Sequence, residues 1–158
     1  MEVFMKKILI VCLLFLLVGC GNSSEDYYNA SIDELNDIYE TSELPCEIEI
    51  NIEKLNESEL IYYVTFDNPT ESMYKIKALA LGGTDIPSIG FLDEPVNMKI
   101  GKIDKEKGYV EGIILSGYIK HSGDVENFEG IIKVYIEYEN ELDEIVKGYY
   151  IYQNYIVE

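Results

Sequence analysis

The chain has 158 residues, enough for one globular domain and a short appendage. It carries 30 acidic residues against 12 lysines, with no arginine and no tryptophan, for a formal charge of −18. Such a charge repels phosphate and there is no guanidinium to grip it, so nucleic acid is excluded as a partner.

The chain opens with an apolar segment behind a short positive region. Lys6-Lys7 is followed by an unbroken apolar run from Ile8 to Val18. A membrane-spanning helix needs about 20 apolar residues, so this run is too short for a permanent anchor and fits the core of a secretion signal. It ends in Leu17-Val18-Gly19-Cys20, and polar residues follow at once in Gly21-Asn22-Ser23-Ser24. Glu2 is out of place in a positive region, which points to Met5 as the start.

Leu17-Val18-Gly19-Cys20 resembles the lipobox of bacterial membrane lipoproteins, and the preceding residues match the signal architecture of that class. The resemblance covers roughly residues 1–24 and does not reach the mature fold. It implies that the Cys20 thiol receives a diacylglycerol and that lipoprotein signal peptidase cuts between Gly19 and Cys20. The expected organisation is a signal peptide over 1–19, lipidated Cys20 and a polar tether over 20–30, a short helix and connection over 31–44, and a β domain over 45–158. Loss of Glu2, Lys6 and Lys7 with the leader takes the charge from −18 to −19. A domain this acidic stands off anionic headgroups and favours cationic partners.

Ser31-Ile32-Asp33-Glu34 has the form of a capping box, with Ser31 as N-cap of a helix running to about Thr41. Pro45 ends any helix, and the apolar period then changes to two. Cys46, Ile48, Ile50 and Ile52 alternate with Glu47, Glu49, Asn51 and Glu53, a strand with one face in a core and one in water. A turn is expected over Lys54–Ser58 and a strand from Leu60 to Phe66. Pro69 marks the turn Asp67–Thr70, since it restricts Asn68 and cannot donate to a ladder.

Met73–Leu81 reads as the third strand, ended by Gly82-Gly83, and Thr84–Pro95 as a crossing loop with a short edge segment. Val96, Met98 and Ile100 alternate, a turn falls at Asp104–Gly108, and one long strand is expected from Val110 to Lys120. His121–Asp124 is a loop; Phe128, Gly130, Ile132, Val134, Ile136 and Tyr138 share one strand face. Asn140–Asp143 turns the chain into a tyrosine-rich final strand, Glu144–Val157. Seven or eight strands with no long helix between them predict an all-β fold, specifically an immunoglobulin-like antiparallel β-sandwich, with a small closed barrel as the alternative.

The chemistry-bearing residues are sparse. Cys46 would be the one cysteine left unmodified, and its place at a strand start reads as a small buried hydrophobe, not a nucleophile. His121 is the one histidine, and Ser122 beside it cannot fold back onto the imidazole, so a solvated loop histidine is expected and no catalytic residue is assigned. The acidic run Glu137–Glu144 lacks the spacing of a calcium loop and reads as the wet face of a hairpin, so neither metal nor cofactor is expected.

Fourteen tyrosines are the strongest remaining signal. Tyr149, Tyr150, Tyr152 and Tyr155 crowd the last strand, where tyrosine either fills core and edge positions or presents area to a protein or carbohydrate ligand. Together these features predict a lipid-anchored protein on the extracytoplasmic face of the cell membrane, with a non-catalytic binding role. An accessory subunit of an envelope transport or secretion complex is the alternative, ahead of a hydrolase.

Overall fold

The computed structural model describes residues 23–83, 88–92, 94–99, 109–121 and 124–154. The lipobox, its cleavage point, Cys20, Tyr155 and the turn expected at Asp104–Gly108 lie outside these residues. The chain divides between Ala30 and Ser31 into two units.

Helix α1 spans Ser23–Asn36, so residues 23–30 are helical where a tether was expected. Ser31 lies inside the helix and is 3 % exposed, not at its start. Ser23–Asn36 contains neither glycine nor proline. Nothing therefore halts the helix before it reaches the Ser31 box. It ends earlier than Thr41, tightened by Asp37 N donating to Glu34 O (3.2 Å) and Ile38 N to Leu35 O (3.3 Å). Lys133 Nζ, from a strand described below, donates to the carbonyls of Leu35 (3.1 Å) and Asn36 (2.8 Å). A cation thus satisfies groups that have no partner within the helix.

The described residues that follow are mostly β: β1 (Glu47–Asn56), β2 (Glu59–Asp67), β3 (Met73–Gly82), β4 (Ser88–Phe91), β5 (Val96–Met98), β6 (Tyr109–Val110), β7 (Ile113–Lys120), β8 (Gly130–Glu139) and β9 (Ile145–Asn154). They form two sheets. One has the order β1-β2-β7; the other has the order β6-β5-β3-β8-β9, with β4 also on β3. The pairings are antiparallel except β5 with β6.

Period-two alternation explains the core. Leu60, Tyr62, Val64 and Phe66 of β2 are all 0 % exposed, and they meet Ile113, Leu115 and Ile119 of β7 and Ile76, Ala78 and Ala80 of β3. Ile132, Val134, Ile136 and Tyr138 of β8 complete this cluster, as their spacing predicts. The outer face of the second sheet also buries Leu79, Leu81 and Tyr135, and the end of α1, with Leu35 at 0 %, is fastened over it by Lys133.

Two local expectations are corrected. The long strand Val110–Lys120 breaks at Glu111-Gly112, with Val110 pairing Met98 in one sheet and Ile113 pairing Phe66 in the other. The chain changes sheets at Gly112, where a Cβ would stand 2.9 Å from Phe66 O. β1 runs on to Asn56, leaving only Glu57-Ser58 to turn, because Asn56 Oδ1 accepts from Ser58 N (2.9 Å) and stabilises the tighter hairpin. In the turn Asp67–Thr70, Asn68 is left-handed at φ 47, a conformation asparagine tolerates, and its Nδ2 donates to Glu47 Oε2 (2.7 Å).

Candidate functional site

The second sheet is irregular at one end. Tyr74 pairs with Glu139 and Lys77 with Glu137, so β3 holds one residue more than β8 between these pairs. This is a β-bulge, and within it Lys75 takes φ 50. The left-handed backbone is unfavourable for a residue with a Cβ. Two bonds hold Lys75 there: its N–H donates to Asn97 Oδ1 (2.8 Å) and its Nζ to Glu139 Oε1 (2.8 Å). The ion pair raises the Lys75 amine above its ordinary value, through the hydrogen bond to Glu139 first and its charge second.

The turn from β8 to β9 adjoins the bulge. Asn140 Oδ1 accepts from Leu142 N (2.9 Å) and Glu144 N (3.0 Å), and Asp143 closes the loop at φ 59. Bulge and turn together border an open groove of about 640 Å³, lined by Tyr74, Lys75, Asn97, Glu139, Asn140, Glu141 and Asp143. Tyr74 stands edge-on to Tyr109 with ring centroids 6.3 Å apart, and Lys99 Nζ lies 5.7 Å from the Tyr109 ring. The groove thus offers an aromatic ring, two amides, three carboxylates and one amine. Because the bulge holds Lys75 at positive φ, Lys75→Gly is expected to raise the melting temperature by a few degrees, whereas Lys75→Ala is not. Thermal unfolding of both variants checks this.

Of the tyrosines singled out on the last strand, Tyr149, Tyr150 and Tyr152 do not line this groove. Tyr150 and Tyr152 pack half-buried against the core. Tyr149 faces the other way, its ring 5.8 Å from that of Tyr135 and its hydroxyl bonded to Glu34. Glu34 is also paired with Lys147 (2.7 Å), and these two hydrogen bonds, Lys147 foremost, hold its carboxyl below the ordinary value of 4.5. This cluster fastens the helix end to β9. Ser42 continues the fastening, accepting from Tyr149 N at its Oγ (2.7 Å) and donating its own N–H to Tyr149 O (2.9 Å).

His121 is half-buried, not fully in solvent: its ring is edge-on to Phe128 at 5.7 Å and its Nε2 lies 3.2 Å from Asp124 O. It borders a second open hollow of about 430 Å³ with Ser58, Glu59 and Lys120. Cys46 is half-buried at the entry to β1, as its alternation predicts, and burial pushes its thiol up to about 11. Of the acidic run, Glu137 pairs with Lys77 (3.3 Å) and Glu139 with Lys75 (2.8 Å), while Glu144 accepts from Asn140 Nδ2 (3.0 Å). Among the described residues no cluster of three or more His, Cys, Asp or Glu side chains is arranged to hold a metal ion.

Compared with known protein families, curated proteins and solved structures, the chain finds no match.

Proposed function

We propose that this is a lipid-anchored binding protein of the extracytoplasmic membrane face, whose immunoglobulin-like sandwich presents the groove of Tyr74 and Asn97. The observation that carries a binding role is the groove itself, an open surface that brings an aromatic ring, two amides, three carboxylates and one amine together.

The anchor is supported by the short apolar run and by Leu17-Val18-Gly19-Cys20. The immunoglobulin-like reading is supported by strand order. The neighbours β1-β2-β7 and β3-β8-β9 correspond to strands A-B-E and C-F-G of an immunoglobulin constant domain. In the groove, the Tyr74 ring suits the apolar face of a sugar, while Glu139 and Asp143 suit adjacent hydroxyl donors. A neutral carbohydrate is the ligand this chemistry favours.

Cells fed labelled palmitate are expected to label the native chain and not a Cys20→Ser variant; label retained by the variant would exclude Cys20 as the attachment site. Tyr74→Ala is expected to elute earlier than the native chain from an immobilised neutral polysaccharide, with its melting temperature unchanged. Identical elution would remove the groove from this reading.

A further inference from the structure

We infer that the outer edge of β1, from Glu47 to Glu53, accepts an extended segment of another protein whose side chains alternate between basic and apolar. Both β1 and β7 are edge strands of the first sheet, yet their core-facing residues are buried differently. On β7, Ile113, Leu115 and Ile119 are at most 4 % exposed. There β4 closes the seam between the sheets so tightly that a Cβ on Gly90 would meet Ser116 O at 2.5 Å. On β1, Ile48, Ile50 and Ile52 are only partly buried, although their partners Phe66, Val64 and Tyr62 on β2 are at 0 %. Val146, Tyr150 and Tyr152 of β9, which pack against the same core, are half-buried too.

Among the described residues, no strand pairs with β1 on the side away from β2. By contrast, the edge of β9 is capped by Ser42 at Tyr149 and by Thr41 Oγ1, which accepts from Ile151 N (3.0 Å). The open part of β1 is bounded at its far end by the ion pair of Lys54 with Asp124 (3.0 Å).

Charge then selects the occupant. Glu47, Glu49 and Glu53 are exposed on the outer face of β1, and their partners on β2 are Asp67, Thr65 and Ile61, none of them a cation. Opposite charges across a strand pair attract and like charges repel. A strand added at this edge would therefore set Lys or Arg against the three glutamates and apolar residues against Ile48, Ile50 and Ile52. A second copy fits poorly, because antiparallel pairing of two β1 edges would face the glutamate rows of two chains that each carry −18. The edge is separate from the groove, and this inference depends on neither membrane anchoring nor carbohydrate binding.

The test uses the full chain and a seven-residue peptide alternating lysine and valine. The peptide is expected to bind and to slow amide exchange along Glu47–Glu53, more weakly as salt rises. The variant Glu47→Lys, Glu49→Lys, Glu53→Lys, with an unchanged melting temperature, is expected to bind it at least about tenfold more weakly. The variant should instead take up a peptide alternating glutamate and valine. A fully N-methylated lysine–valine peptide, which cannot donate to a strand edge, is expected not to bind; this arm stands even if the variant fails to fold. Equal binding of the methylated peptide, protection mapped elsewhere, or a native chain that sediments as a dimer paired through β1 would each overturn the inference.

Discussion

Gly117→Ala is expected to destabilise the domain by about 3 kcal/mol, the upper end of what one added methyl does in a filled core, and to lower the melting temperature by roughly 10 °C. The cause is the Tyr62 ring. It points inward from β2, is 0 % exposed, and its hydroxyl donates to Ala80 O at 3.1 Å across the core. A Cβ on Gly117 of β7 would stand 2.6 Å from Tyr62 Cε1, and a Cβ on Gly82 of β3 would stand 2.6 Å from the same atom. The ring therefore sits in a slot between two glycines from different sheets and cannot move away from one without striking the other. A double-mutant cycle checks this account. In a Tyr62→Leu background the ring is gone, so adding Gly117→Ala should cost much less than in the native chain. Equal losses in both backgrounds would mean that the damage comes from the backbone of β7 and not from the slot.

That slot shows where sequence reading runs out. The alternation of Leu60, Tyr62, Val64 and Phe66 is visible by inspection, and all four are buried as expected. Nothing in the sequence discloses that Gly117 lies opposite Tyr62, because periodicity assigns a face and never the residue opposite on the neighbouring strand. The same holds at Glu111-Gly112. The apolar pattern continues from Val110 into Ile113, yet the two residues belong to different sheets. The capping box at Ser31 is a true local signal overridden by a longer stretch without helix breakers.

The groove was harder still to foresee. Its centre depends on Lys75 at φ 50, and lysine carries none of the preference that would mark such a position in Gly or Asn. Asn97 and Asp143 enter the groove from strands and turns far apart in the chain, joined only by the register of β3 with β5 and β8. On β9 the sequence groups Tyr149 with Tyr150 and Tyr152, although strand alternation puts it on the opposite face. It does not disclose that Tyr149 is already engaged by Glu34.

In alkali the domain is expected to unfold in one step between pH 10 and about 12, read by the loss of far-ultraviolet dichroism. Burial foremost raises the Tyr62 and Tyr149 phenols from 10 to about 12. The Tyr138 phenol also rises, by burial first and then by its hydrogen bond to Glu71 Oε1 (2.7 Å). A phenol whose value is raised by folding favours the folded state while protonated. Its contribution is therefore complete below pH 10 and is lost as the pH climbs through the folded-state value. Ionisation removes the donor to Ala80 O at Tyr62 and sets a second negative charge beside Glu71 at Tyr138 and beside Glu34 at Tyr149. Tyr149 is partly open to solvent, which screens its share, so Tyr62 and Tyr138 dominate. Tyr138→Phe keeps the ring in the core but removes the proton. It should therefore lessen the dependence of stability on pH across this interval by about one proton's worth of slope. If stability stays flat from pH 10 to 12, these phenols are open to water in the folded chain and the packing described around Tyr62 is wrong.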